Sequence, residues 1–161
     1  MSVAPEPIPA YSWDYAKVGD EAETISVLVR SADVEKYYEV MGGDRSSLSS
    51  PVAAERMMSV PIVLVRIFAP LRRHELIERQ GAKYPAHPTP AIKWHCQVLV
   101  PIRVGDTIVS VTRVRDKYVK RDRHFLHWEV EARRLDENNT KVAVFNYVNL
   151  WDAGKKEDRL R

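Results

Sequence analysis

Cysteine is almost absent: Cys96 is the only one in 161 residues. An intrachain disulfide is therefore excluded, as is a cysteine-rich metal motif. A surplus of one charge is missing too. The 25 Lys and Arg are nearly matched by 22 Asp and Glu, for a formal net charge of +3, so the balance does not point to nucleic acid. No apolar run approaches the ~20 residues that a membrane-spanning helix needs. Residues 1–20 lack a basic segment followed by an apolar core, so no signal peptide is expected and a cytoplasmic location is. There is no internal repeat. No histidines stand at metal-ligand spacing with a supporting carboxylate or thiol, so neither a metal nor another cofactor is expected.

What is present is an ordinary globular composition, 45% hydrophobic and 29% charged. The length suits one domain with a core of its own. The chain is organised around Ser59-Val60-Pro61-Ile62-Val63-Leu64-Val65-Arg66-Ile67-Phe68-Ala69-Pro70, in which Arg66 is the only charge. Periodicity does not separate a buried strand from a buried helix here. Ser59 as N-cap, Pro61 in the first turn and Pro70 as terminator favour a helix. A helix apolar on nearly every side has to be surrounded by protein.

Residues 1–10, with Pro5, Pro7 and Pro9, predict a flexible arm, and 154–161 a charged tail, leaving 11–153 as the domain. Residues 24–29 predict a strand. From Ser31, Val34, Tyr37, Tyr38 and Met41 lie on one helical face, stopped by Gly42-Gly43. A polar loop, Asp44 to Ser50, leads to a short helix opened by Ser50-Pro51. The central apolar helix follows, then a charged helix over 71–80 and a proline-rich loop over 81–90. From residue 91 four strands are expected. The first puts Ile92, Trp94, Cys96, Val98 and Val100 on its apolar face. The second runs from Thr107 to about Val119, with a bulge near Arg113. The third alternates Leu126, Trp128, Val130 and Ala132 with polar residues. The fourth, Val142 to Trp151, is apolar on both faces and is therefore either central or buried between subunits.

A strand, grouped helices and then an antiparallel meander make an α+β fold. A very apolar helix wrapped by such a sheet is the single-hotdog architecture. Several stretches carry a closer likeness: Val34 to Asp44 (VEKYYEVMGGD), Pro61 with the apolar run, Val100 to Ile108 (VPIRVGDTI), Asp116-Lys117-Tyr118, and the strand from Phe125. Together they resemble the MaoC-like (R)-specific enoyl-CoA hydratases and 3-hydroxyacyl dehydratases. The order of segments is most similar to the N-terminal half-domain of two-hotdog enzymes, or to the subunit that pairs with a catalytic partner. The resemblance implies a lyase of fatty acid metabolism. Its substrate would be an acyl-CoA or acyl-carrier-protein thioester, and its partner a second hotdog subunit in a heterodimer or larger assembly, otherwise a homodimer.

The family's hydratase motif is Asp-x-Asn-Pro-x-His. A carboxylate and an imidazole beside one water divide the base and acid work of hydration, and a backbone N–H polarises the thioester carbonyl. Asp44 matches the aspartate and is the candidate catalytic residue. Ser46 and Ser47 stand where asparagine and proline are expected, and Ser49 stands where the histidine is. Serine has no group that titrates near neutral pH, so Ser49 does not replace an imidazole. The resemblance implies substrate contacts from Arg45, Ser46, Ser49 and Arg66, with a partner supplying the chemistry. Two alternatives stay open. One is a homodimeric hotdog thioesterase using Asp44 or Glu55. The other is a non-enzymatic acyl-CoA or lipid-binding module.

Each candidate also has a plainer reading. Asp44 suits a turn after Gly-Gly, and serines among Ser46, Ser47, Ser49 and Ser50 suit a helix cap. Arg66 is as well explained by a salt bridge as by a pocket. His87 reads as a surface residue without a role, and the sequence positions of His95 and His127, on polar strand faces, do not show them near Asp44 or near each other. Cys96 reads as a small core residue. Arg113, Arg115, Lys117, Lys120, Arg121 and Arg123 suit either a phosphate-binding patch or the solubilising charge of an exposed hairpin.

Overall fold

The computed structural model describes residues 6–41, 60 and 62–152. Five strands and three helices lie within them: β1 (Ile25–Leu28), α1 (Ser31–Val40), α2 (Ile62–Phe68), α3 (Arg73–Arg79), β2 (Ala91–Val98), β3 (Thr107–Lys120), β4 (Arg123–Arg134) and β5 (Lys141–Asp152). The sheet is antiparallel with order β1-β3-β4-β5-β2. The expected α+β hotdog is the observed one. β5, apolar on both faces in sequence, lies inside the sheet between β4 and β2.

Turn chemistry sets the meander. Arg121 and Asp122 both take positive φ, 53° and 56°, as a two-residue hairpin between right-twisted strands requires. The expected bulge in β3 falls between Val114 and Asp116. The stretch Val100 to Ile108 is a structural knot. Gly105 at φ 94° turns the chain, and its N–H reaches the Val29 carbonyl at 2.9 Å. Asp106 accepts from the Arg103 N–H at 2.9 Å and pairs with Arg134 at 3.1 Å. Val60 donates to the Ile102 carbonyl at 2.8 Å, tying the approach to α2 to the same turn.

The helix-facing side of the sheet carries two cores. In the first, Leu64, Val65, Phe68 and Ala69 pack on Val130, Ala132, Ala143 and Phe145. Burying each large apolar side chain contributes about 1.5–3 kcal/mol. The second core gathers Leu76 and Ile77 of α3 with Tyr11, Val114, Leu126, Trp128 and Trp151. The N-terminal segment is stitched in through Pro9 and Tyr11, which exchange hydrogen bonds with Lys83.

Three expectations need correction. The described residues do not enclose α2: Arg66 is exposed and Ile67 is 58% exposed, because α2 packs on the sheet by the side that carries Leu64, Val65 and Phe68. Met41 is 65% exposed; it follows the end of α1, so the helical spacing no longer aims it at the core. Ile92 and Trp94 are 56% and 54% exposed, because β2 is an edge strand and helices cover that edge poorly. Gly42-Gly43, the Ser50-Pro51 helix, Ser59, Pro61 and the tail 154–161 lie outside the described residues. Among the described residues no helix is long and apolar enough to cross a membrane.

Candidate functional site

Asp44, Arg45, Ser46, Ser49 and Glu55 lie outside the described residues. The chain departs at Met41, after α1, and returns at Val60, directly before α2. α1 packs by Val34, with Tyr37 and Tyr38 half-buried against the first core. Arg66 is the candidate substrate-binding residue that the structure describes. It needs no buried counter-ion, because its guanidinium stays in water. Beside α2, Ser26, Val27, Leu28, Arg30, Asp33, Ile67 and Phe68 line a groove of about 410 Å3. Asp33 holds Arg30 there through two hydrogen bonds of 3.0 and 3.2 Å. The groove is apolar at its α2 and β1 walls and charged at its α1 end.

Cys96 packs against the first core, as expected. Burial pushes its thiol above the ordinary value, which keeps it protonated and a poor nucleophile. Among the described residues no group of three His, Cys, Asp or Glu is placed to hold a metal.

The structure separates the basic residues that sequence grouped together. Arg113 and Arg115 lie 3.9 and 3.7 Å from Glu129. Lys117 turns inward, donating to the carbonyls of Trp13 and Ala16 at 3.1 and 2.9 Å, with its ammonium 4.4 Å from the centre of the Trp13 ring. It is a strap for the N-terminal segment, unavailable to a phosphate. Lys120, Arg121 and Arg123 stay exposed at the hairpin.

Two histidine arrangements escaped sequence reasoning, since both depend on strand pairing. His87 has a role after all. Its Nε2–H donates to the Trp151 carbonyl and lies 3.7 Å from Asp152. His124 Nδ1–H donates to the other oxygen of Asp152 at 2.8 Å, and its ring stacks on Trp13 at 4.6 Å. On the opposite face of the sheet His95 and His127 come together around one depression. The only available signal was their shared polar strand parity, which does not fix register.

No protein-family model and no curated protein matches the sequence. Solved structures match its fold. R-hydratase PhaJ1 from Pseudomonas aeruginosa is 13% identical with a TM-score of 0.56, over 91% of this chain and 87% of that one. The HadBC 3R-hydroxyacyl-ACP dehydratase complex of Mycobacterium tuberculosis is 10% identical with a TM-score of 0.61, over 82% and 95%. A MaoC-like dehydratase from Rhodospirillum rubrum is 12% identical with a TM-score of 0.55, over 88% and 97%. The fold is that of the MaoC-like hotdog proteins.

Proposed function

We propose that this chain is a cytoplasmic hotdog subunit of an (R)-specific enoyl-thioester hydratase or 3-hydroxyacyl-thioester dehydratase. A partner hotdog carries the complete Asp and His pair, and this chain completes the assembly and shapes the acyl pocket. One observation carries the reading: the scaffold matches the dehydratase fold over most of its length, and the resemblance would align Ser49 with the motif histidine. A hydroxyl cannot exchange protons with substrate near neutral pH as an imidazole does. The chemistry then falls to the second subunit.

The outer edge of β2, unpaired among the described residues, supports the same reading. β2 pairs with β5 along one edge, and Ile92 and Trp94 stand exposed on it. An unprotected apolar edge strand is a template for a further strand. A second hotdog seated there would also cover the open side of the apolar face.

Co-expression with MaoC-like subunits tests the proposal. The expected result is a stable complex that hydrates a 2-enoyl-CoA. Its activity is abolished by substituting the partner's motif histidine and survives Asp44→Asn in this chain. A chain that forms no complex with any such subunit, or a complex inactivated by Asp44→Asn alone, overturns the division of labour. Thiol release from an acyl-CoA by the isolated chain would favour the thioesterase alternative.

A further inference from the structure

The face of the sheet turned away from α2 carries a depression of about 500 Å3, lined by Lys93, His95, Tyr118, His127, Asn146 and Val148. Side chains alternate along a strand. The neighbours Trp128 and Phe145 belong to the two cores, so these residues face the other way. Register brings them together. His95 pairs with Asn146, and Lys93 and His127 both pair with Val148. Tyr118 arrives from β3 beyond its bulge and is held by stacking on Phe125 at 5.2 Å. Val148, 6% exposed, forms an apolar floor. His127 and Asn146 are half-buried, and Lys93 and His95 stand exposed at the rim.

The hydrogen-bond inventory is unbalanced towards donors. His127 Nε2 lies 2.7 Å from Asn146 Oδ1. An amide oxygen only accepts, so Nε2 carries the proton. The Asn146 amide nitrogen, the Tyr118 hydroxyl, the Lys93 ammonium and the His95 ring bond to no other described residue. Among the described residues no carboxylate lines the depression. By register Glu129 stands opposite Asn146 and Asp116 opposite His127, outside the lining, and each acid has a contact of its own. Glu129 faces Arg113 and Arg115, Glu131 holds Arg133 and Lys141 at 2.8 and 2.7 Å, and Asp116 accepts from the Lys117 N–H at 2.8 Å.

A recess lined by one lysine, two imidazoles, a phenol and an amide over an apolar floor, with no acid in its described lining, suits an anionic ligand. We propose that this face binds a small organic anion. Its single carboxylate or phosphate is held by Lys93, His95 and the Asn146 amide, and its compact apolar body lies on Val148 beside Tyr118. Charge-assisted hydrogen bonds supply the attraction, and the recessed floor restricts the body to a planar or short aliphatic group. The site lies on the side of the sheet opposite α2 and the groove beside it. Its failure would leave the proposed subunit role standing.

The test is an amide NMR titration of the full chain with three probes of one shape: benzoate, phenyl phosphate and neutral benzamide. At least one anion should shift the amides of residues 93–95, 118, 127 and 146–148 saturably, while benzamide does not. A response to one anion alone identifies the head group. Lys93→Met, at an exposed position that the fold tolerates, should weaken the binding about tenfold, and His127→Gln should also weaken it. Three outcomes overturn the proposal: no shift with either anion, equal shifts with benzamide, or binding unchanged by Lys93→Met.

Discussion

Trp151 donates its indole N–H to the Tyr11 carbonyl at 2.7 Å, across 140 positions of sequence. Both residues are completely buried. The bond joins the last strand to the N-terminal segment, and Tyr11 in turn donates its hydroxyl to Asp20 at 2.7 Å. Burial, reinforced by the Asp20 carboxylate, pushes the Tyr11 phenol far above its ordinary value.

The second core should therefore fail first when this bond is cut. Trp151→Phe removes the donor and leaves a buried carbonyl unpaired, which costs about 1–3 kcal/mol. Trp151→Ala adds a cavity and costs about 3–5 kcal/mol. Urea unfolding of the two variants checks the order.

Lys117 should behave as a fastening. Lys117→Met keeps much of the side-chain volume but loses two carbonyl contacts and the cation–π contact with Trp13. A loss of about 1–3 kcal/mol is expected, with new cleavage by trypsin at Lys17 in limited proteolysis. An unchanged digestion pattern would mean that the remaining anchors, Tyr11, the Trp13 indole on the Phe125 carbonyl and the Tyr15 hydroxyl on the Gln80 carbonyl, hold the segment without Lys117.

Glu131 gives a pH signature. Burial alone would raise its carboxyl, but hydrogen bonds and charge from Lys141 and Arg133 outweigh it and hold the group below the ordinary value of 4.5. A depressed folded-state value stabilises the fold above the unfolded value, and that contribution is lost as pH falls through the folded one. Glu131→Gln should destabilise the protein at pH 7, with the difference vanishing as pH drops below 4.5. Chemical denaturation at several pH values reads this directly.

Cys96 should react slowly. Its raised thiol is protonated at neutral pH and packs against the first core. Iodoacetamide should modify it much more slowly than a free thiol at pH 7, and at the free rate once urea unfolds the chain. Rapid labelling of the native protein would contradict the burial.

Trp94 should matter to assembly more than to folding. It is 54% exposed on the β2 edge, so Trp94→Lys should leave the melting midpoint of the isolated chain nearly unchanged. Association with a hotdog partner should weaken, as a charged residue on an edge strand opposes pairing. Sedimentation of the mixture measures it.

Sequence alone determined the meander, because strand alternation, turn residues and hairpin chemistry are local properties. Leu126, Trp128, Val130 and Ala132 announce their face without help from any other part of the chain. The apolar run around Leu64 announced a helix of the core for the same reason. The serine at position 49 is likewise read from sequence alone. Only the tertiary structure decided strand order, and with it exposure. β2 looked half-buried, yet it stands at the edge with Trp94 uncovered. Arg66 looked buried because its neighbours are apolar, yet α2 turns it to water. His95 and His127 share a depression, and His87 and His124 share Asp152, through register and loop docking that no local pattern encodes. The stretch around Asp44 was legible only as a motif resemblance and lies outside the described residues. Lys117 shows the same division: its charge was read from sequence, but its direction came from a bulge that turned it towards Trp13.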